Sequence, residues 1–261
     1  MQKSRFILPN AFTSMNFLLG VFAICWATGL FSNFTTLDPY RMSAYFVVLC
    51  VLLDKLDGFA ARLVNASSEF GAQFDSLADL IAFGLAPAFL LLFSYLHFAK
   101  EWSSKNLVLL LVVFSVYVLT AAIRLAKYNA VDSELLSDYF SGLPSTFAGA
   151  INVVFLSYFI HKGGFNEDIS TGLLFLPVFI MLLTGILMVS PLFLPKIQVR
   201  KNKLFNAFQF VMIILSYILG FMFISPTVPF IHEFLIALML GYVIIGFGHG
   251  LYRRESILKK Q

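Results

Sequence analysis

Charge is scarce in this chain: Asp, Glu, Lys and Arg together make up 12% of its 261 residues, about half of the roughly 25% usual in soluble domains. So few ionic side chains cannot cover a water-facing surface, which excludes an ordinary soluble enzyme. Cysteine is nearly absent. Cys25 and Cys50 both fall inside apolar runs, so they support no disulfide framework and read as small packing residues. The histidines, His97, His161, His232 and His249, have no spacing that suggests a metal site. P-loop and Rossmann glycine patterns, solenoid-length repeats and low-complexity tracts are also missing. The longest polar stretch, residues 127–145, is only a loop.

What the chain does have is apolar length. Hydrophobic residues account for 59% of it, Phe alone contributes 31 residues, and the mean hydropathy is +0.87. Segments of about 20 apolar residues are long enough, at about 1.5 Å rise per residue, to cross a hydrocarbon core of about 30 Å. Eight such segments are expected, at 11–31, 41–64, 73–99, 106–126, 146–161, 171–189, 204–224 and 229–251. The fold class is therefore all-α, a polytopic transmembrane bundle. The first segment is followed by too many others to be a cleaved signal peptide and is read as a retained span. The basic stretch 191–203 suggests a division into a six-helix core, residues 1–190, and a two-helix addition, residues 191–261, within one membrane domain.

An even number of spans returns both termini to one side. With that side inside, the inner segments hold Lys3, Arg5, Arg62, Arg124, Lys127, Lys196, Arg200, Lys201, Lys203, Arg253, Arg254, Lys259 and Lys260. The outer segments hold only Arg41, Lys100, Lys105 and Lys162, and Lys55 lies within a span. This imbalance places both termini in the cytoplasm. The formal charge of +4 then reflects orientation and contact with anionic membrane lipids, not nucleic-acid binding. No organelle-targeting signal is apparent, so a prokaryotic cytoplasmic membrane is expected.

Against this apolar background stand four aspartates, Asp54, Asp57, Asp75 and Asp79. Carboxylates in or near hydrocarbon are costly, and a cluster of them marks a functional site. Positions 54, 57, 58, 61 and 62 share one helical face, as do 71, 75 and 79. The short link 65–70 predicts that the two helices are antiparallel neighbours, with both carboxylate pairs at the cytoplasmic boundary. Gly58, Ala61, Gly71, Ala72 and Ala78 would leave room between them for a bulky ligand. An all-oxygen donor set suits Mg²⁺ or Mn²⁺, and two divalent ions would balance four carboxylates and support in-line displacement at phosphorus. One carboxylate can also take a proton from an attacking hydroxyl.

The pattern Asp54-x2-Asp57-Gly58-x2-Ala61-Arg62-x8-Gly71-x3-Asp75-x3-Asp79 resembles the signature of the CDP-alcohol phosphatidyltransferase family at every fixed position. The resemblance implies transfer of a phosphatidyl group from CDP-diacylglycerol to a small alcohol, with release of CMP. It implies that Asp54, Asp57, Asp75 and Asp79 hold two divalent ions, that Asp79 is the catalytic base, and that Gly58, Ala61, Arg62 and Gly71 shape the CDP-lipid pocket. A homodimer is implied as well.

The flanks resemble the branch of the family whose acceptor is L-serine. They include the stretch from Ile81 to Ala88 after the acids, Leu8-Pro9-Asn10-Ala11-Phe12-Thr13, Ile123-Arg124-Leu125-Ala126-Lys127-Tyr128-Asn129, and Gly142-Leu143-Pro144-Ser145. Lys127 stands where that branch commonly has Arg, and Ser145-Thr146 where it often has a further Pro. Arg124 and Asn129 become candidates for the serine carboxylate and amine, with an interfacial anchor and a helix cap as their plainer readings. Asn10, Thr13 and Asn16 share a helical face that can touch nucleotide or lipid, or serve packing alone. Sister acceptors remain open, namely glycerol 3-phosphate, inositol or its phosphate, and choline. An ion transporter would also account for intramembrane carboxylates, but not for acids confined to one end of two adjacent spans.

Overall fold

The computed structural model describes residues 7–32, 37–63, 69–99, 103–132, 138–166, 171–196, 203–224 and 230–255. Among these, eight long helices occupy the eight expected segments. They are α1 (Ile7–Ala27), α2 (Pro39–Leu63), α3 (Glu69–Phe98), α4 (Ser104–Lys127), α5 (Ser145–His161), α6 (Leu176–Val189), α7 (Lys203–Phe221) and α8 (Ile231–Tyr252). Four of them contain stretches long and apolar enough to cross a membrane: Asn10–Ala27, Glu69–Phe98, Ser104–Ala130 and Ile231–Tyr252. The chain is thus an integral membrane helical bundle. Exposed side chains such as Val108, Val112 and Leu119 on α4, or Ile244 and Ile245 on α8, have hydrocarbon as their natural surroundings.

Local chemistry accounts for several helix ends. Asp38 Oδ1 accepts from the Tyr40 amide at 2.9 Å, and Pro39 follows as the first helical residue of α2, where its missing N–H loses nothing. Gly29, at φ +74, lets the chain turn out of α1 by adopting a left-handed conformation that other residues resist.

The feature that matters most for the site lies inside α3. A π-helical turn spans Leu80–Leu85, immediately after Asp79. Pro87 has no N–H with which to serve the carbonyl of Phe83, the ordinary i−4 acceptor. Tyr117 of α4, fully buried, supplies the missing donor, its hydroxyl lying 2.8 Å from the Phe83 oxygen. Gly20 of α1 and Gly149 of α5 press on this turn, and a Cβ at either would come within 3.0 Å of the backbone of Ala82 or Phe83. Asp79 is therefore anchored at the start of a segment gripped from three helices.

α5 and α6 are joined by a buried polar pair, with Asn152 Nδ2 donating to Thr184 Oγ1 at 2.8 Å. Such bonds help specify packing where all the surroundings are apolar. Two short strands were not expected from the sequence. β1 (Tyr139–Ser141) and β2 (Phe193–Pro195) pair antiparallel, with Tyr139 opposite Pro195, Phe140 opposite Leu194 and Ser141 opposite Phe193.

Candidate functional site

Asp54 lies late in α2, and Asp75 and Asp79 lie one turn apart near the start of α3. One oxygen from each carboxylate falls within 4.8 Å of the other two. Three of the four expected acids thus converge from two helices that are neighbours in the fold. α1 packs against both α2 and the Glu69–Asp79 part of α3, while α2 approaches α3 mainly along Ala86–Phe98.

Three carboxylates at this separation repel one another by about 3 kcal/mol per pair at an effective dielectric of about 20. Lys55 offsets part of this, its Nζ lying 3.2 Å from Asp54 Oδ2, but its side chain is 53% exposed and an exposed pair of this kind contributes little. Asp79 is only 7% exposed. Asp75 Oδ1 is buried with no hydrogen-bond partner among the described residues. An orphaned carboxylate oxygen, two further acids and an all-oxygen donor set fit a hard divalent cation, whose ligands sit at about 2.0–2.6 Å. Asp54, Asp75 and Asp79 can hold such an ion. The side chains of Asp57, Gly58, Ala61 and Arg62 lie outside the described residues, although their backbone continues α2. Gly71 is on α3, one turn before Asp75, on the same face as the two acids.

A second group of residues adjoins the acids from α5 and α4. Thr146 Oγ1 donates to Asp54 Oδ2 at 3.5 Å. Its neighbour Ser145 accepts a 3.1 Å hydrogen bond from Arg124 Nη1, and the guanidinium lies 5.2 Å from the centre of the Tyr128 ring. Two consecutive hydroxyls at the first turn of α5 therefore tie the acid cluster to a buried arginine, itself only 9% exposed. Asn129 belongs to the π-helical continuation of α4, Tyr128–Asp132. Its Nδ2 donates to Ser76 Oγ at 2.8 Å, beside Asp75 in sequence, while the Ser76 hydroxyl donates onward to the Ala72 carbonyl at 3.1 Å. Lys127 Nζ reaches Ser141 Oγ on β1 at 2.8 Å.

Both candidate acceptor residues thus stand within one or two contacts of the carboxylates. Sequence reasoning missed the linking roles of Ser145, Thr146 and Ser76. The signal available was a pair of hydroxyls opening an otherwise apolar span. Of the polar face on α1, Thr13 and Asn16 are buried. Neither end of the Asn16 side-chain amide is hydrogen-bonded among the described residues, though the Asn16 backbone carbonyl accepts at 3.5 Å from Sγ of Cys50, which lies one helical turn before Asp54. Cys25 and Cys50 are both free thiols.

Residues 6–245 match the family model described as CDP-alcohol phosphatidyltransferase. Similar proteins include a CDP-diacylglycerol–serine O-phosphatidyltransferase of Helicobacter pylori, 33% identical over 253 residues, or 97% of this chain and 94% of the relative. A protein of the same name from Mycobacterium bovis is 32% identical over 189 residues, covering 70% of this chain and 59% of its own. Another, from Saccharomyces cerevisiae, is 36% identical over 136 residues, covering 49% and 46% respectively.

Proposed function

The chain belongs to the CDP-alcohol phosphatidyltransferase family, and from that premise we propose that it transfers the phosphatidyl group of CDP-diacylglycerol to L-serine, yielding phosphatidylserine and CMP. The observation that carries this reading is the convergence of Asp54, Asp75 and Asp79 on one side of the Ser145–Thr146 pair and of Arg124 on the other. The serine-transferring relatives, one of them aligned over nearly the whole chain, support the choice of acceptor.

In this mechanism Asp54, Asp57, Asp75 and Asp79 hold two divalent ions, Mg²⁺ or Mn²⁺. Divalent ions held there would supply positive charge to offset the diphosphate and the charge that builds on the leaving phosphate. Gly58, Ala61, Arg62 and Gly71 line the CDP-lipid pocket, where Arg62 adds charge complementarity. Arg124 orients the acceptor through its carboxylate. A guanidinium carries five N–H donors in a planar fork, enough to grip a carboxylate beside its bond to Ser145. Asn129, with its amide nitrogen turned to Ser76, offers its carbonyl oxygen to the serine ammonium. Asp79 takes the hydroxyl proton as the serine oxygen forms its bond to the lipid-side phosphorus. The bond from that phosphorus to the oxygen of the CMP phosphate breaks, and CMP leaves with the electron pair.

The positive-inside distribution supports an enzyme whose termini and active site face the cytoplasm of a prokaryotic membrane. Residues 1–190 would form the catalytic core and 191–261 an addition to it. A homodimer follows from the family likeness.

The decisive experiment offers purified protein CDP-diacylglycerol, Mg²⁺ or Mn²⁺, and each acceptor separately, with CMP release as the readout. Serine is expected to support release. Turnover with glycerol 3-phosphate, inositol or choline, and none with serine, would reject the acceptor while leaving the family intact.

A further inference from the structure

We propose that the last helix, α8, is a positioning element for the acceptor side of the site, acting through the β1–β2 ribbon on Ser145 and Arg124. The proposal rests on the assignment of Arg124 to the acceptor made above.

α8 holds β2 at three consecutive residues. The Tyr242 hydroxyl donates to the Pro195 carbonyl at 2.7 Å. Gly246 faces Leu194, where an added Cβ would lie 2.6 Å from its Cδ1. Gly250 lies directly on the Phe193 carbonyl, which a Cβ would approach to 1.8 Å. His249 stacks on Tyr139 of β1, with ring centres 6.2 Å apart and planes at 13°. Positions 242, 246, 249 and 250 form one face of a helix, so the whole cytoplasmic half of α8 is shaped to the ribbon. Neither glycine is needed for turning. Each provides space where a side chain would drive the strand away.

Two strands of three residues do not hold themselves together in isolation, so the ribbon takes its place from its supports. One support is α8. The other is the end of α6, where the Leu143 amide donates to Leu187 O at 2.9 Å, while the Gly142 amide extends the ribbon by donating at 2.7 Å to Leu192 O, just ahead of β2. Gly142, at φ +74, swings the chain from β1 into Pro144 and the first turn of α5. Ser145 then meets Arg124. Three residues separate the end of β1 from Ser145, all of them hydrogen-bonded or buried. A displacement of β2 by α8 is therefore carried to the arginine's hydroxyl partner. The turn that follows Asp79 on α3 is instead gripped by α1, α4 and α5; α8 also meets α5 directly, the Tyr242 ring stacking on Phe147 at 4.9 Å, a contact that Tyr242→Phe keeps. A disturbance at Tyr242 or Gly250 should thus reach the acceptor in preference to the CDP-lipid.

The test uses the full-length protein in lipid nanodiscs, the acceptor that the wild-type protein turns over best, and CMP release. KM is measured separately for acceptor and for CDP-diacylglycerol. Tyr242→Phe removes one hydroxyl and no packing, and the loss of its hydrogen bond is expected to raise the acceptor KM by about 3- to 10-fold. The lipid KM should stay within about two-fold of wild type, since uniform damage to the site would move both. In a Ser145→Ala background the same Tyr242→Phe change should have no further effect on acceptor KM, because coupled residues are not additive. Gly250→Ala should act in the same direction and more strongly, and where it prevents folding the tyrosine variant decides alone. Equal rises in both KM values, an unchanged acceptor KM, or full additivity of Tyr242→Phe with Ser145→Ala would each overturn the proposal. Failure of serine as acceptor would overturn the proposed substrate instead, and the KM comparison would then be made with the acceptor that works.

Discussion

Replacing Arg124 with alanine removes a buried guanidinium that lies against Tyr128 and donates to Ser145, the residue before the threonine bonded to Asp54. If this group grips the serine carboxylate, a charge-assisted bond worth about 1.5 to 3 kcal/mol is lost, which corresponds to a rise in serine KM of roughly 10- to 100-fold. The same change leaves the Ser145 hydroxyl without its arginine, so a modest loss of stability accompanies it. Stability alone would lower the amount of active protein and hence the apparent kcat. It would not raise one substrate's KM and spare the other's. Initial rates of CMP release, with serine and CDP-diacylglycerol varied in turn, separate the two effects. Arg124→Lys is an informative companion, because it retains the charge and loses the planar fork, so a partial rise in serine KM is expected. A rise in lipid KM with serine KM fixed would refute the assignment and move Arg124 to the diphosphate pocket.

Asp79→Asn is expected to lower kcat by about 100-fold or more while CDP-lipid binding stays measurable; near-normal turnover would exclude Asp79 as the base. A chelator should abolish CMP release and Mg²⁺ or Mn²⁺ restore it, and Asp75→Asn should weaken direct Mn²⁺ binding together with activity. Full activity in excess chelator would contradict the metal reading. Tyr117→Phe leaves the Phe83 carbonyl with neither Pro87 nor a hydroxyl to serve it, a loss of about 1 to 3 kcal/mol, which should lower the thermal midpoint by roughly 2 to 10 °C. An unchanged midpoint would show that the π turn does not depend on that bond.

Some of this protein could be read directly from the order of its residues. Apolar runs such as those that became α4 and α8 announce helices because, in hydrocarbon, every backbone polar group must be satisfied within its own segment. The carboxylates on α2 and α3 stood out for a related reason, since acids are tolerated there only in a functional setting, and their i, i+3 and i+4 spacings already assigned them to shared faces. Short-range rules also explain why α2 starts at Pro39 behind Asp38, two residues ahead of the expected 41.

Other features depend on groups far apart in the chain. Nothing near Pro87 signals that Tyr117, 30 residues later, will supply the donor it lacks, or that Gly20 and Gly149 will close on the π turn beside Asp79. The placing of α1 against both acid-bearing helices was likewise invisible, because a short connection shows that two helices are linked but not what packs on them. From sequence Arg124 looked equally like an interfacial anchor, and only the fold shows its bond to Ser145, the neighbour of the Thr146 that bonds Asp54. β1 and β2 escaped notice because three residues carry no periodicity, and their pairing reaches from Ser141 to Phe193 and is held by glycines of α8 still further along. Residue order specifies which chemistry can exist in the membrane, through local hydrogen bonding and the cost of burying charge. Which of those groups share a site is decided by packing among distant segments, where shape and the donor each carbonyl still needs select the partner.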